Sequence, residues 1–449
     1  MTDQDPAETD DIGYQMDISL IFRLPPELFA SIFSFLDPVD LANFSRCSKQ
    51  CRDLVLPFLF RTLRLEPSNS QRDAIEPGGS LRGLRTSVRR LIFDPHCFKH
   101  AERIRFYRWC FGVLARFPNI TSIKVYCFIY HRSTLSRLPL GPDTIYEFDH
   151  SLFHLIMSHL STFPFFHSQL RSFHIKSIRV HPSSDLFEWT PAEFVQWVPE
   201  PADRDFLAPS LEAVRANAPV PCPPALEDLT LDLSSNGYLS VNPLTLLSTM
   251  RSSSESLKRF HIEYRMKPSD PSYIPEHRSN KQLEALPGLT STYYSVTTLS
   301  LDYDYMRPNF FPEFALRFPN VENLTVHLPP PERLPSSIGY VGPAYSFLPE
   351  LKKLKRIAIP VRKRQVSDRK FEGDYLSQNR TNQIVTDLVS KGRLEYLSRV
   401  LFWSRKKSWE PLNCYIEALS YTVERPGTTE YNISNARISG RSIEELLYA

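Results

Sequence analysis

Between residues 26 and 36, apolar side chains recur at Leu28, Phe29, Ile32, Phe33 and Leu36, a spacing that lines them along one face of a helix. Asp37 is expected to close that helix and cap a second one, with Pro38 at its first position, where a missing N–H has no partner to lose. The second helix runs through Leu41, Ala42 and Phe44. Ser48 is placed to cap a third, in which Cys51, Leu54, Val55, Phe58 and Leu59 return at helical spacing. Three helices this short carry more large apolar groups than they can cover, Leu24, Phe29, Phe33, Phe35, Phe44, Phe58 and Phe60 among them. Some must pack on something else. The pattern fits a docking element with a partner and a cap on the following domain equally well.

Beyond residue 66 the pattern changes to apolar triplets at i, i+3 and i+5, the spacing of a short strand with two side chains inward and a third from the preceding loop. They fall at Val88/Leu91/Phe93, Ile120/Ile123/Val125, Leu170/Phe173/Ile175, Leu226/Leu229/Leu231, Leu257/Phe260/Ile262, Val296/Leu299/Leu301, Val321/Leu324/Val326, Leu354/Ile357/Ile359 and Leu397/Val400/Phe402. The join Arg116-Phe117-Pro118-Asn119-Ile120 returns as Arg317-Phe318-Pro319-Asn320-Val321, and Leu348-Pro349-Glu350-Leu351 approximates it. A helix end, a proline stop and a strand explain that join. Helices are expected over Ala101 to Phe117 and Tyr146 to Phe163, which makes strand alternate with helix as in a repeat array. The intervals are uneven, and insertions rich in proline, serine or charge are expected at Pro199 to Pro224, Lys267 to Asn280, Pro329 to Pro349 and Arg362 to Arg380.

Leu24-Pro25-Pro26-Glu27-Leu28, Ile32, Leu36, Asp40-Leu41, Ser45-Arg46-Cys47-Ser48-Lys49, Arg52-Asp53-Leu54 and Pro57 together resemble the F-box motif along its whole length. Cys47 stands where that family usually has valine, and Cys51 where it usually has an aromatic residue. The continuation from Pro57 to Leu65 is similar to F-box proteins of fungal type, in which it leads into the first repeat strand. The resemblance implies that Leu24, Pro25, Leu28, Ile32, Leu36 and Leu41 help form the surface that docks on the Skp-type adaptor, and through it on a cullin. The expected fold class is an α/β repeat: an N-terminal three-helix F-box followed by an irregular leucine-rich-repeat-like solenoid. Residues 1–18 read as a disordered acidic lead, 19–66 as the F-box, 67–430 as the substrate-binding repeat domain and 431–449 as a C-terminal tail or cap. The implied role is substrate recognition for an SCF-type ubiquitin ligase, with an unidentified protein as substrate. A scaffold that docks the adaptor without delivering anything for degradation is the alternative.

Composition agrees with this picture. At 449 residues, 42% hydrophobic and 23% charged, the chain is long and apolar enough for a sizeable core, and its net charge of +3 gives no global pull toward nucleic acid or membrane. No apolar run is long enough to cross a bilayer, and the first residues are acidic where a secretory signal is basic, so cytoplasm or nucleus is expected. The seven cysteines form no dense framework and are expected to be reduced thiols. Proline (38) far exceeds glycine (14), which favours short elements stopped by rigid loops.

His150 and His154 have the i, i+4 spacing of zinc ligands, with His159 following, but the glutamate of the zinc-protease motif is missing. Cys97, His100 and Cys110 lack a matching second pair. Helix surface and buried thiols are therefore expected, and neither a metal nor a cofactor. The basic run Lys353, Lys355, Arg356, Arg362, Lys363, Arg364 and Arg369 is expected to be a solvated face with an exposed loop. The aromatics Trp109, Trp189, Trp197, Trp403 and Trp409 are expected mainly in the core. Phosphate loop, nucleophile elbow and dinucleotide fingerprint are all missing, so no residue is assigned to catalysis.

Overall fold

The computed structural model describes residues 23–66, 68–95, 100–129, 155–179, 221–232, 250–263, 292–301, 315–326, 348–360, 378–390, 394–406, 415–425, 432–440 and 442–448, with a few positions between 205 and 212. The chain divides into two compact units, residues 1–62 and 63–449. The acidic lead, His150, His154, Cys97, Trp189, Trp197, Trp409 and Arg362 to Arg369 lie outside the described residues, as does most of each expected insertion.

In the first unit the apolar spacing resolves into α1 (Pro26–Phe35), α2 (Pro38–Cys47) and α3 (Lys49–Leu59). Asp37 caps α2 as its position predicts: Oδ1 accepts from the amides of Val39 and Asp40, both at 2.8 Å, which satisfies two donors that the helix itself leaves orphaned. Ser48 Oγ accepts the Cys51 amide at 3.0 Å and starts α3 in the same way. Phe29, Phe33, Leu41 and Val55 form the core, with Leu24, Leu36, Phe44, Leu54, Phe58 and Leu59 packed against it. The Phe33 ring lies at its centre, 5.6 Å from the Phe29 and Phe44 rings and 5.0 Å, edge-on, from Phe58. Cys51 is buried where the family pattern has an aromatic group.

The second unit is built on a twelve-stranded sheet whose spatial order is the order of the chain. Its strands are β1 (Thr62–Leu65), β2 (Arg90–Phe93), β3 (Ser122–Ile129), β4 (Ser172–Arg179), β5 (Asp228–Asp232), β6 (Arg259–Glu263), β7 (Thr298–Leu301), β8 (Asn323–Val326), β9 (Arg356–Pro360), β10 (Arg399–Lys406), β11 (Tyr415–Glu424) and β12 (Asn432–Gly440). Neighbours from β2 through β10 are parallel. The last two pairings, β10 with β11 and β11 with β12, are antiparallel. Between strands lie α4 (Asn69–Ile75), α5 (His100–Leu114), helical residues 155–160, the short helix Pro164–Ser168 and α6 (Gln378–Ser390); α7 (Ile443–Tyr448) follows β12.

All nine triplets are buried, no member exposing more than 2% of its surface. Their middle residues stand side by side in one row, Leu91, Ile123, Phe173, Leu229, Phe260, Leu299, Leu324, Ile357 and Val400. A row this regular needs each strand to start at the same height, and the turns before the strands enforce that. The carbonyl of Arg89 accepts the amides of both Thr121 and Ser122 at 2.8 and 3.1 Å, Thr121 repeats this with Arg171 and Ser172, and Arg171 with Glu227 and Asp228. Glu227, Lys258, Thr297, Glu322 and Lys355 continue the series to Ser398 and Arg399. Each forked pair of bonds joins the residue after the first triplet position to the equivalent residue of the next strand.

The repeated join has a structural counterpart. Phe117 and Phe318 are buried, while Asn119 Nδ2 donates to the Thr86 carbonyl at 2.8 Å and Asn320 Nδ2 to the Tyr294 carbonyl at 2.7 Å, each reaching back two residues before the preceding triplet. Asn320→Ala should leave that carbonyl without its protein donor and cost about 1 kcal/mol in a urea melt, whereas Asn320→Asp, which has no donor to offer, should cost at least as much.

Two boundaries gain detail. The sheet begins at Thr62, inside the segment assigned to the F-box, because Leu63 and Leu65 alternate inward as a strand. Residues 431–449 include an integral strand and helix: α7 lays Ile443, Leu446 and Leu447 on Ala358, Leu401, Trp403, Ile416 and Ala418, on the side of the sheet opposite the triplets.

Candidate functional site

α1 is apolar on two sides. Successive helical residues are turned by about 100°, so each apolar pair along it splits: Phe29 and Phe33 point into the core, while Leu28 and Ile32 remain exposed. Phe35, 89% exposed, extends this outer row, and Val39, at 66%, continues it on the first turn of α2. Leu28, Ile32 and Phe35 follow the i, i+4, i+7 rule of a single helix face. Around this strip the carboxylates of Glu27, Asp37 and Asp40 are exposed, giving an apolar stripe with an acidic border. None of the described residues of the first unit covers it.

The six residues implied by the resemblance therefore divide. Leu28 and Ile32 form the strip, and Pro25 is exposed beside the first turn of α1. Leu24 and Leu36 are partly buried against the core and contribute one edge at most. Leu41 is a core residue, 6% exposed, because α2 turns that side toward Phe29, Phe33 and Val55. Phe35 and Val39 complete the strip although the resemblance did not pick them out. Phe35 did belong to the surplus of apolar groups that a three-helix unit cannot cover.

The second unit offers a different surface, the side of the sheet opposite the triplets. From β2 to β8 it is polar. Asp228, largely buried, is met by Arg259 at 2.8 Å and by His174 Nε2 at 3.5 Å. Burial acts to raise its carboxyl, but the His174 hydrogen bond and the charges of His174, Arg259 and His261 together hold it below the usual carboxylate range. Ser172 Oγ lies 2.6 Å from the same Nε2. Serine and aspartate approach the same ring nitrogen, whereas a relay holds them on opposite nitrogens, so this is a polar cluster around Asp228 rather than a relay. Because Asp228 titrates lower in the fold than in the unfolded chain, it stabilises above about pH 4 and loses that contribution as pH falls through its folded value. Asp228→Asn should accordingly lower the melting temperature at pH 7 and have a progressively smaller effect as pH falls below about 4, as thermal melts across that range will report.

Along the edge where strands begin, Glu227 pairs with Lys258 at 2.8 Å and with Arg171, and Lys355 pairs with Glu322 at 2.8 Å. The Lys258 and Arg171 hydrogen bonds lower the Glu227 carboxyl. These exposed pairs follow the forked bonds from strand to strand and contribute little stability each. Of the basic run, Lys355 belongs to this ladder, Lys353 is exposed, and Arg356 lies under the Tyr448 ring of α7, 5.0 Å from its centroid.

His159 and Cys110 are the candidate ligands whose side chains are described. His159 is stacked between Phe111 and Phe206, with ring centroids 4.8 and 4.7 Å away, and burial lowers its imidazole against a hydrogen bond with the Phe206 backbone. Cys110 is buried. Burial pushes the Cys222 thiol up to about 11, opposed by its hydrogen bond with Ser253, which makes it a poor nucleophile. Among the described residues no group of three or more histidine, cysteine, aspartate or glutamate side chains is arranged to hold a metal ion, and no helix is long and apolar enough to cross a membrane.

Comparison with protein families matches residues 21–62 to the F-box domain, a segment that coincides with the described part of the first unit. The chain thus carries an F-box domain, the class of module that docks a Skp-type adaptor and connects it to a cullin complex. Neither the curated proteins nor the solved structures contain a match to the chain.

Proposed function

We propose that this protein is the substrate-recognition subunit of an SCF-type ubiquitin ligase: its F-box docks the adaptor and its second unit captures the protein to be modified. The observation that carries this reading is the strip Leu28, Ile32, Phe35 and Val39, exposed among the described residues inside the F-box match. Burying such a side chain contributes roughly 1.5–3 kcal/mol when it starts fully exposed and less for the half-exposed Leu28 and Ile32, which works against the cost of association.

The second unit is a leucine-rich-repeat-like array of fungal type, in which each strand with its loop is one repeat. Nine equivalent triplets, one row of middle residues and one series of forked bonds support that assignment. Such arrays offer long binding surfaces and no inherent chemistry. The protein itself makes no bond; it holds the substrate near a ubiquitin-charged enzyme brought by other subunits, which is catalysis by proximity. It works in the cytoplasm or nucleus.

Co-expression of the full chain with a Skp-type adaptor, followed by size-exclusion chromatography, tests the reading. A stable complex is expected, and elution of the two proteins apart would overturn it. Deleting the protein in its native cell should raise the level of its captured partner. An unchanged level would instead favour a scaffold that docks the adaptor and degrades nothing.

A further inference from the structure

The polar side of the sheet is not uniform. Toward the C-terminal end α7 covers it, and the cations there are engaged: Arg356 by the Tyr448 ring, Arg399 by Ser420 Oγ at 3.0 Å. Further along, the described carboxylates are paired: Asp94 and Glu66 share Arg64, and Asp228 meets His174 and Arg259. On β2, β3 and β4 the situation is reversed. Arg90 and Lys176 are exposed and Lys124 is half-exposed. Lys124 lies over the Tyr126 ring, 4.8 Å from its centroid. None of the three forms an ion pair with a described carboxylate.

Register fixes how these cations stand. Lys124 is beside Ile92, two residues beyond Arg90, and Lys176 is beside Tyr126, two residues beyond Lys124. One strand sideways and two residues forward, taken twice, gives a diagonal row with steps of roughly 8 Å between backbone positions. Alternate side chains of an extended peptide repeat at roughly 7 Å and project to one side. Asp232, in register with Lys176 on β5, bounds the row on its far side.

We propose that Arg90, Lys124 and Lys176 form a diagonal cationic track that captures an extended acidic segment of the substrate protein, with acidic groups at alternate positions. This rests on the receptor reading above and specifies the chemistry of what the receptor holds. Charge complementarity selects the occupant: the track has few apolar anchors, Ile92 and Tyr126, and three cations that pair with none of the described carboxylates. The acidic groups can be carboxylates or phosphates, which the same cations recognise.

The test uses the full chain and fluorescent peptides of about twelve residues: one alternating glutamate with serine, one with phosphoserine replacing glutamate, and one with the same glutamates in a single block. The alternating peptides should bind better than the block. Binding should fall by roughly tenfold or more in Arg90→Glu/Lys124→Glu/Lys176→Glu, as expected when two or three charge pairs are reversed. It should also weaken as salt rises from about 50 to about 300 mM. Preference for the phosphoserine peptide with the same loss in the variant identifies phosphate as the source of charge. Equal binding by wild type and variant overturns the proposal, as does absence of binding or tighter binding of a uridine dodecamer than of either alternating peptide. Circular dichroism checks the variant's fold, and Arg90→Gln/Lys124→Gln/Lys176→Gln gives the same comparison should charge reversal unfold the sheet. Adaptor association, measured on the same samples, keeps the two readings apart, because its failure strikes the receptor role while leaving peptide capture to be judged by its own data.

Discussion

Replacing Leu28 and Phe35 together by alanine should weaken adaptor association by about 100-fold or more, since exposed anchors that become buried at an interface contribute about 2 kcal/mol each and 1.4 kcal/mol is a factor of ten. The variant should fold normally, because neither side chain belongs to the core of the first unit. Leu41→Ala is the informative contrast. Leu41 is buried among Phe29, Phe33 and Val55, so its truncation costs roughly 2–5 kcal/mol of stability and abolishes binding by unfolding the module. Circular dichroism and adaptor titration together separate the two outcomes. Adaptor affinity within about twofold of wild type for the Leu28/Phe35 variant would remove the strip from the interface.

The second large effect is expected in the middle of the sheet. Phe260 is buried between Leu229 and Leu299 in the row of middle residues and stacks on Phe318 at 5.9 Å. Phe260→Ala should cost about 3–5 kcal/mol, because a cavity surrounded by ordered strands collapses only in part. Its reach should exceed a local defect. In a sheet where each strand is supported mainly by its two neighbours, weakening one in the middle lets the parts on either side lose cooperativity. Hydrogen exchange should show β5, β6 and β7 amides losing protection first, and a denaturant melt should broaden. A cost below about 1 kcal/mol would mean that the triplets do not share a continuous core.

Much of the second unit could be read from the chain because its determinants are local. A triplet at i, i+3 and i+5 marks a strand and its incoming loop whatever its neighbours are, and Asn119 and Asn320 stand in the same repeated string for the same reason. Asp37 and Ser48 were legible as caps because capping depends only on the next three residues. What escaped depended on distant parts of the chain. The covering of Ala358, Leu401 and Trp403 by α7 is a long-range event; its trace was the unbroken apolar runs Ile357-Ala358-Ile359 and Val400-Leu401-Phe402-Trp403, which mark strands buried on both sides. The burial of Leu41 and the exposure of Phe35 escaped for a related reason: helical spacing reports that two faces are apolar, while only packing decides which meets the core. The antiparallel ending of the sheet left no local signature at all.

The forked hydrogen bonds between successive turns have a consequence for how this chain can change. Alignment is set at the strand entry, by one carbonyl holding two consecutive amides of the next turn, so the length of chain between one strand and the next does not enter into it. The run from Arg179 to Asp228 and the much shorter run from Leu301 to Asn323 lead to strands in the same register. Loop closure grows only slowly more costly with length. The sheet can thus keep its alignment while the length of a connection changes, except where the connection itself supplies core residues, as α5 does with Phe106, Cys110 and Leu114.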